Sequence, residues 1–170
     1  MTPPVTPPAG PPFRVGHGYD LHRLQGGGKL MLGGVEVAHG LSPVAHSDGD
    51  VVLHAVVDAL LGAMGWGDIG EHFPNTDPRW KDAPSRLFVD EVYAKLAAAG
   101  FRVGNLDVTV LAERPKLKAF KRPMADNLAQ LLHIHPDQVN VKAGTNEGCD
   151  AIGRGEAIAA HAVVLLMADQ

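Results

Sequence analysis

The sequence predicts one α/β domain of α+β-like character, a mixed β-sheet of about four to five strands plus a small hairpin, with helices on one face. Three observations carry this reading. The chain has 170 residues, 45% of them hydrophobic and 20% charged, enough for one substantial core and too few for two. From Phe13 onward the apolar pattern switches between the period of a strand and that of a helix. Gly33-Gly34, set between Leu30–Leu32 and Val35–Val37, is a two-residue hairpin signal. Aromatic residues make up only 5%, so the core rests on Val, Leu, Ile and Ala.

Residues 1–12 carry Pro3, Pro4, Pro7, Pro8, Pro11 and Pro12 and read as a disordered, polyproline-like arm outside the domain of residues 13–170. The arm has no Lys or Arg and no apolar segment, so it reads neither as a secretory signal nor as a transit peptide, and a cytoplasmic location is expected. Phe13–Tyr19 reads as a strand running into Asp20-Leu21-His22. Ser47 or Asp48 precedes a helix over Asp50–Met64, where Val52, Val56, Ala59, Leu60 and Ala63 hold helical spacing. The long segment Trp66–Pro84 reads as a functional loop. Ser85 caps a second helix that ends before Gly100, and Leu106–Val110 alternates as a strand. A third helix is expected over about Ala119–His133, then strands at Val139–Ala143 and Ala157–Met167, the apolar run Val163–Leu166 of the latter fitting a buried helix as well.

Composition excludes several classes of function. A net charge of -4 argues against a surface for nucleic acid, and no apolar run approaches the ~20 residues of a membrane helix. Cys149 is the single cysteine among nine histidines and 19 acidic residues, so any metal chemistry must use nitrogen and oxygen ligands. Cys149 has no basic neighbour in sequence and is not read as a nucleophile.

Asp20 and His22 leave the same face of an extended segment and can converge on one ion; a surface Asp beside a hydrogen-bonded His is the plainer alternative. His46-Ser47-Asp48-Gly49-Asp50 precedes a helix whose first turns carry His54. A free helix N-terminus there suits a phosphate, or Ser47 or Asp48 merely caps it. Asp20, His22 and His54 together form a two-imidazole, one-carboxylate set like that of catalytic zinc sites, although ligand type alone admits Fe or Mn. The loop Gly67-Asp68-Ile69-Gly70 through Phe73-Pro74-Asn75-Thr76-Asp77 offers backbone and two carboxylates to sugar hydroxyls, or only caps turns. Lys142–Glu147 leaves a strand end with Thr145 and Glu147 available to Mg²⁺ and a diphosphate. No phosphate-binding P-loop or dinucleotide fingerprint is present. His133-Ile134-His135, just before Pro136, reads as structural.

Gly16-His17-Gly18-Tyr19-Asp20-Leu21-His22, Leu32-Gly33-Gly34-Val35, Ala45–Asp50, Asp68-Ile69-Gly70, Phe73–Asp77 and Gly153-Arg154-Gly155-Glu156 occur in this order. This set resembles the 2-C-methyl-D-erythritol 2,4-cyclodiphosphate synthase family. The resemblance implies a lyase of the non-mevalonate isoprenoid route that cyclises a cytidine-diphosphate substrate and releases CMP. It implies Zn²⁺ on Asp20, His22 and His54, and Mg²⁺ with Glu147. It places His46 and Ser47 on the attacking phosphate, and Asp68, Gly70, Phe73, Asn75, Thr76 and Asp77 along the methylerythritol. Ala112, Pro115, Lys116, Lys118, Ala143, Gly144 and Thr145 would wall the cytidine. It further implies a homotrimer with active sites between subunits and Arg154 at a channel on the three-fold axis. A zinc phosphohydrolase and a diphosphate-binding module are the competing readings.

Overall fold

A 20-residue strand, β1 (Phe13–Leu32), forms the spine of the domain. The structure is a computed structural model that describes residues 11–169; residues 1–10 of the arm expected over residues 1–12 lie outside the described residues, as does the side chain of His39. The Pro12 carbonyl accepts from the Ala168 N–H at 2.8 Å. After β1 come β2 (Val35–Pro43), α1 (Val51–Met64), the one-turn α2 (Ile69–His72), α3 (Arg86–Ala98), β3 (Phe101–Leu111), α4 (Lys121–Leu131), β4 (Val139–Gly144), the one-turn α5 (Asp150–Gly153) and β5 (Ala157–Ala168). The five strands form a single mixed sheet in the order β2-β1-β5-β3-β4. All neighbours are antiparallel except β3 and β4.

The structure joins two strands that the sequence pattern separates. Phe13–Tyr19 and Leu30–Leu32 are the ends of β1, and the glycine run between them is absorbed as a bulge between Gly26 and Lys29. Gly33 and Gly34 both have positive φ, 58° and 76°, and turn β1 directly into β2 with Leu32 opposite Val35.

Alternation along β1 sets Gly16, Gly18, Asp20 and His22 on one side. A Cβ on Gly16 would lie 1.8 Å from the Ala59 carbonyl oxygen, and one on Gly18 would lie 1.9 Å from that of Ala55. The two glycines therefore let α1 lie directly on β1. Ala160, Ala162, Val164 and Leu166 of β5 are fully buried within the same main core as α1, α3 and α4. The opposite side of the sheet is bare over β1 and the distal half of β5. There Phe13, Val15, Tyr19, Leu21, Val163 and Met167 are exposed, Val15 by 64%. The expectation of helices on one face holds for α1, α3 and α4, while α5 packs with Ala157, Ala159 and Leu111 in a separate small cluster.

The third helix is shorter than its apolar spacing suggests. It ends at Leu131, and His133 takes φ 53° with its ring 4.8 Å from that of Tyr93. His135 accepts from the Asp137 N–H and caps the following turn. Both histidines are thus structural. The expected loop Trp66–Pro84 contains α2 and a 3₁₀ turn at Pro78–Trp80.

Candidate metal centre

The centre is assembled from a strand and a helix start. Asp20 and His22 leave β1 on its helix side, and His54 leaves the first turn of α1 towards them. His54 Nδ1 lies 2.9 Å from Asp20 Oδ2, His22 Nε2 lies 3.0 Å from the same oxygen, and the two ring nitrogens are 3.2 Å apart. Ligands around a tetrahedral ion at ~2.0–2.1 Å sit roughly 3.3 Å from one another, so this spacing suits a divalent metal. Burial works against the charge on Asp20, but hydrogen bonds from His22 and His54 outweigh it and hold the carboxyl well below its usual range.

A buried network fixes the direction of His54. Asp50, not Ser47 or Asp48, is the helix cap: its carboxylate accepts the N–H groups of Val52 and Leu53, each at 3.1 Å. It also accepts from Gly33 and Gly34 in the hairpin turn, at 2.8 and 2.6 Å. Burial raises the Asp50 carboxyl, and the Gly34, Leu53 and Gly33 N–H groups pull it back. The helix N-terminus is therefore closed by a carboxylate from within and is not the open phosphate site the sequence suggested.

Ser85 is fully buried and makes a short contact with Asp48. Its one hydroxyl proton goes to that carboxylate, so its oxygen accepts from His54 Nε2 at 2.8 Å. Ser47 Oγ stands 3.1 Å from the same nitrogen. With Nε2 committed as the donor to Ser85, Nδ1 is the His54 nitrogen left to bind a cation beside Asp20 and His22, in exchange for its hydrogen bond to Asp20. The three facing ligand atoms thus form a candidate cation site.

The centre opens into a cavity of about 440 Å³ that also contains Ala45, His46, Ser47, Gly70, Phe73, Asn75 and Thr76. Its apolar wall is an aromatic cluster: Phe73 stacks on Phe88 at 4.6 Å, with Trp80 edge-on to both at 5.1 and 5.5 Å. Asp58 of α1 accepts the Ile69 N–H at 2.7 Å and so ties the loop to the helix beneath it. Asp68 and Asp77 do not line the cavity. Asp68 accepts the Glu71 N–H, and Asp77 accepts from the backbone and guanidinium of Arg79.

A second cavity of about 300 Å³ lies at the ends of β3 and β4, lined by Ala112, Pro115, Lys116, Leu117, Lys118, Lys121, Ala143, Gly144 and Thr145. Beside it Thr145 donates to Glu147 at 2.8 Å. The two cavities share no lining residue. Arg154 lies apart from both, in a bidentate pair with Glu156 at 3.0 Å.

The profile of the YgbB family matches residues 13–167 of this sequence. The chain belongs to the YgbB family. It is 55% identical over 154 residues to the 2-C-methyl-D-erythritol 2,4-cyclodiphosphate synthase of Methylococcus capsulatus, covering 91% of this chain and 98% of that one. It is 52% identical over 163 residues to the chloroplastic 2-C-methyl-D-erythritol 2,4-cyclodiphosphate synthase of Catharanthus roseus, covering 96% and 69% respectively. Among solved structures, the CDP complex of IspF from Plasmodium falciparum superposes with a TM-score of 0.82 at 32% identity, covering 93% of this chain and 97% of that one.

Within this YgbB-family chain the structure brings the three predicted ligands together and gathers the seven residues expected to wall the cytidine about one cavity. Sequence reasoning missed Ser85, Asp58, Trp80 and Phe88. Ser85 was legible only as a helix cap, yet it stands at the N-cap position with no capping bond. Its partner His54 lies 31 residues away, beyond any local pattern.

Proposed function

We infer that the chain carries out the reaction for which its relatives are named: cyclisation of 4-diphosphocytidyl-2-C-methyl-D-erythritol 2-phosphate to the 2,4-cyclodiphosphate with release of CMP. The convergence of Asp20, His22 and His54 at one end of a substrate-sized cavity carries this reading. An oxygen of the 2-phosphate attacks the β-phosphorus. One P–O bond forms, and the bond between the β-phosphorus and the oxygen bridging to the α-phosphate breaks, with the electron pair leaving on CMP. The nucleophile is already anionic, so positioning and charge neutralisation are the enzyme's tasks.

Zn²⁺ on Asp20, His22 and His54 would supply Lewis acidity at a phosphate oxygen, and Mg²⁺ with Glu147 would neutralise the departing CMP. His46 and Ser47 are assigned to orient the 2-phosphate, and Thr145 the diphosphate. Gly70, Phe73, Asn75 and Thr76 form the methylerythritol side, with Asp68 and Asp77 shaping the loop that carries them. Ala112, Pro115, Lys116, Lys118, Ala143 and Gly144 receive the cytidine. Closing a ring within one bound substrate can supply several kcal/mol through effective molarity. Phosphorus NMR after incubation with substrate, Zn²⁺ and Mg²⁺ tests the reading. A cyclic diphosphate with CMP supports it; inorganic phosphate alone would assign a hydrolase, and ligand binding without turnover a binding module.

The proposal includes a homotrimer with each site between subunits, supported by the bare apolar sheet face and by two cavities that share no residue. Arg154 is assigned to the axial channel. Co-folding His54→Ala with Thr145→Ala chains tests the arrangement. Random mixing in a cyclic trimer makes about one quarter of the sites wild type on both sides, whereas sites within one chain give none. No helix among the described residues is long and apolar enough to cross a membrane, and a cytoplasmic location remains part of the proposal, to be decided by fractionation.

A further inference from the structure

The bare face of the sheet carries one polar feature amid its apolar residues. In the β1–β5 ladder His17 stands opposite Val163, and Tyr19 opposite His161, so the two histidines are diagonal neighbours. His17 Nε2 and His161 Nδ1 are 3.1 Å apart, with ring centroids at 5.4 Å. Tyr19 packs against the His161 ring at 4.7 Å and limits its rotation. Among the described residues neither imidazole has a carboxylate partner. Across β5, Thr109 of β3 stands opposite His161, and Asp107, opposite Val163, is held by Asn140 and Lys142.

We propose that His17 and His161 form a second metal site, distinct from Asp20–His22–His54, that takes a divalent transition ion through two cis imidazole nitrogens. The molecule supplies its own calibration. In the three-ligand centre the two imidazole nitrogens are 3.2 Å apart and their ring centroids 5.2 Å, nearly the values found for this pair. With metal–nitrogen bonds of ~2.0–2.1 Å, a 3.1 Å separation corresponds to an angle at the metal of roughly 100°, between the square-planar and tetrahedral values. Two antiparallel strands already paired along Phe13–Arg23 and Ala157–Met167 hold both rings, so little ordering remains for the metal to impose. Imidazole donors without a carboxylate select Zn²⁺, Ni²⁺ or Cu²⁺ over Mg²⁺ or Ca²⁺. Water, or groups from a second copy lying on this face, would complete the coordination.

The test is a calorimetric titration of metal-stripped protein with Zn²⁺. Wild type shows two classes of site, one abolished by His54→Ala and the other retained in that variant. His161→Gln and His17→Gln each abolish the second class and keep the first. CMP release by these two variants, which touch no part of the catalytic cavity, stays within about twofold of wild type. A second class that survives both substitutions overturns the proposal, as does a wild type that binds only the equivalent lost in His54→Ala. The binding readout does not require turnover, so it stands or falls separately from the assigned reaction.

Discussion

Ser85→Ala isolates the hydrogen-bond relay that aims His54. The side chain is fully buried, it donates to Asp48, and it accepts from His54 Nε2 at 2.8 Å. Removing Oγ leaves the Nε2 proton only the longer contact to Ser47 at 3.1 Å and releases the ring from its fixed orientation. Loss of a group that orients a metal ligand costs about 10–100-fold in metal affinity, or roughly 1.4–2.7 kcal/mol. The fold is affected less, because Asp48 keeps the Ser85 and Asp50 N–H groups at 3.0 and 3.2 Å. The unfolding free energy should therefore fall by only about 1–2 kcal/mol. Zinc affinity is read by competition with a chromophoric chelator and stability by denaturant unfolding of the metal-free protein. Asp48→Asn keeps the shape but weakens the charge-assisted bond, and it should give a smaller loss of affinity in the same direction. A Ser85→Ala protein that is folded and binds zinc within about twofold of wild type would refute the relay.

His54→Ala removes a ligand outright and should abolish bound zinc and CMP formation together; elemental analysis beside turnover checks this, and turnover persisting after metal depletion contradicts the assignment. Gly18→Val places a side chain where a Cβ already lies 1.9 Å from the Ala55 carbonyl oxygen. It should cost about 3 kcal/mol or more by lifting α1 from β1, measured by chemical denaturation. Deleting residues 2–10 should leave turnover within about twofold of wild type, and a large fall would give the proline-rich arm a role.

The order of elements was legible because periodicity reports which side of an element is buried, and burial is what packing enforces. Ala157–Met167 illustrates the limit: its apolar run fits a buried strand or a buried helix, and only pairing with both β1 and β3 makes it the central strand. Gly16 and Gly18 looked like pieces of a motif. Their physical reason, the contact of α1 with β1, appears only once the two elements are docked. The bulge that keeps β1 continuous is likewise a property of its pairing with β2.

The candidate site divides in the same way. Asp20 and His22 could be paired from their spacing on one strand, and His54 could be added because the three make a two-imidazole, one-carboxylate ligand set, an assignment that the family resemblance implied. Asp48 and Asp50 are two residues apart and equally acidic, yet one reaches Ser85 and the other caps α1 and holds the hairpin turn. Local pattern cannot separate them, because both roles depend on which partner the fold delivers. The consequence is functional: Asp50 fixes where α1 begins, Asp48 fixes which nitrogen of His54 carries the proton, and the metal centre needs both. An acidic pair that reads as redundant capping in the sequence therefore performs two separate tasks, position and tautomer, for a single ligand.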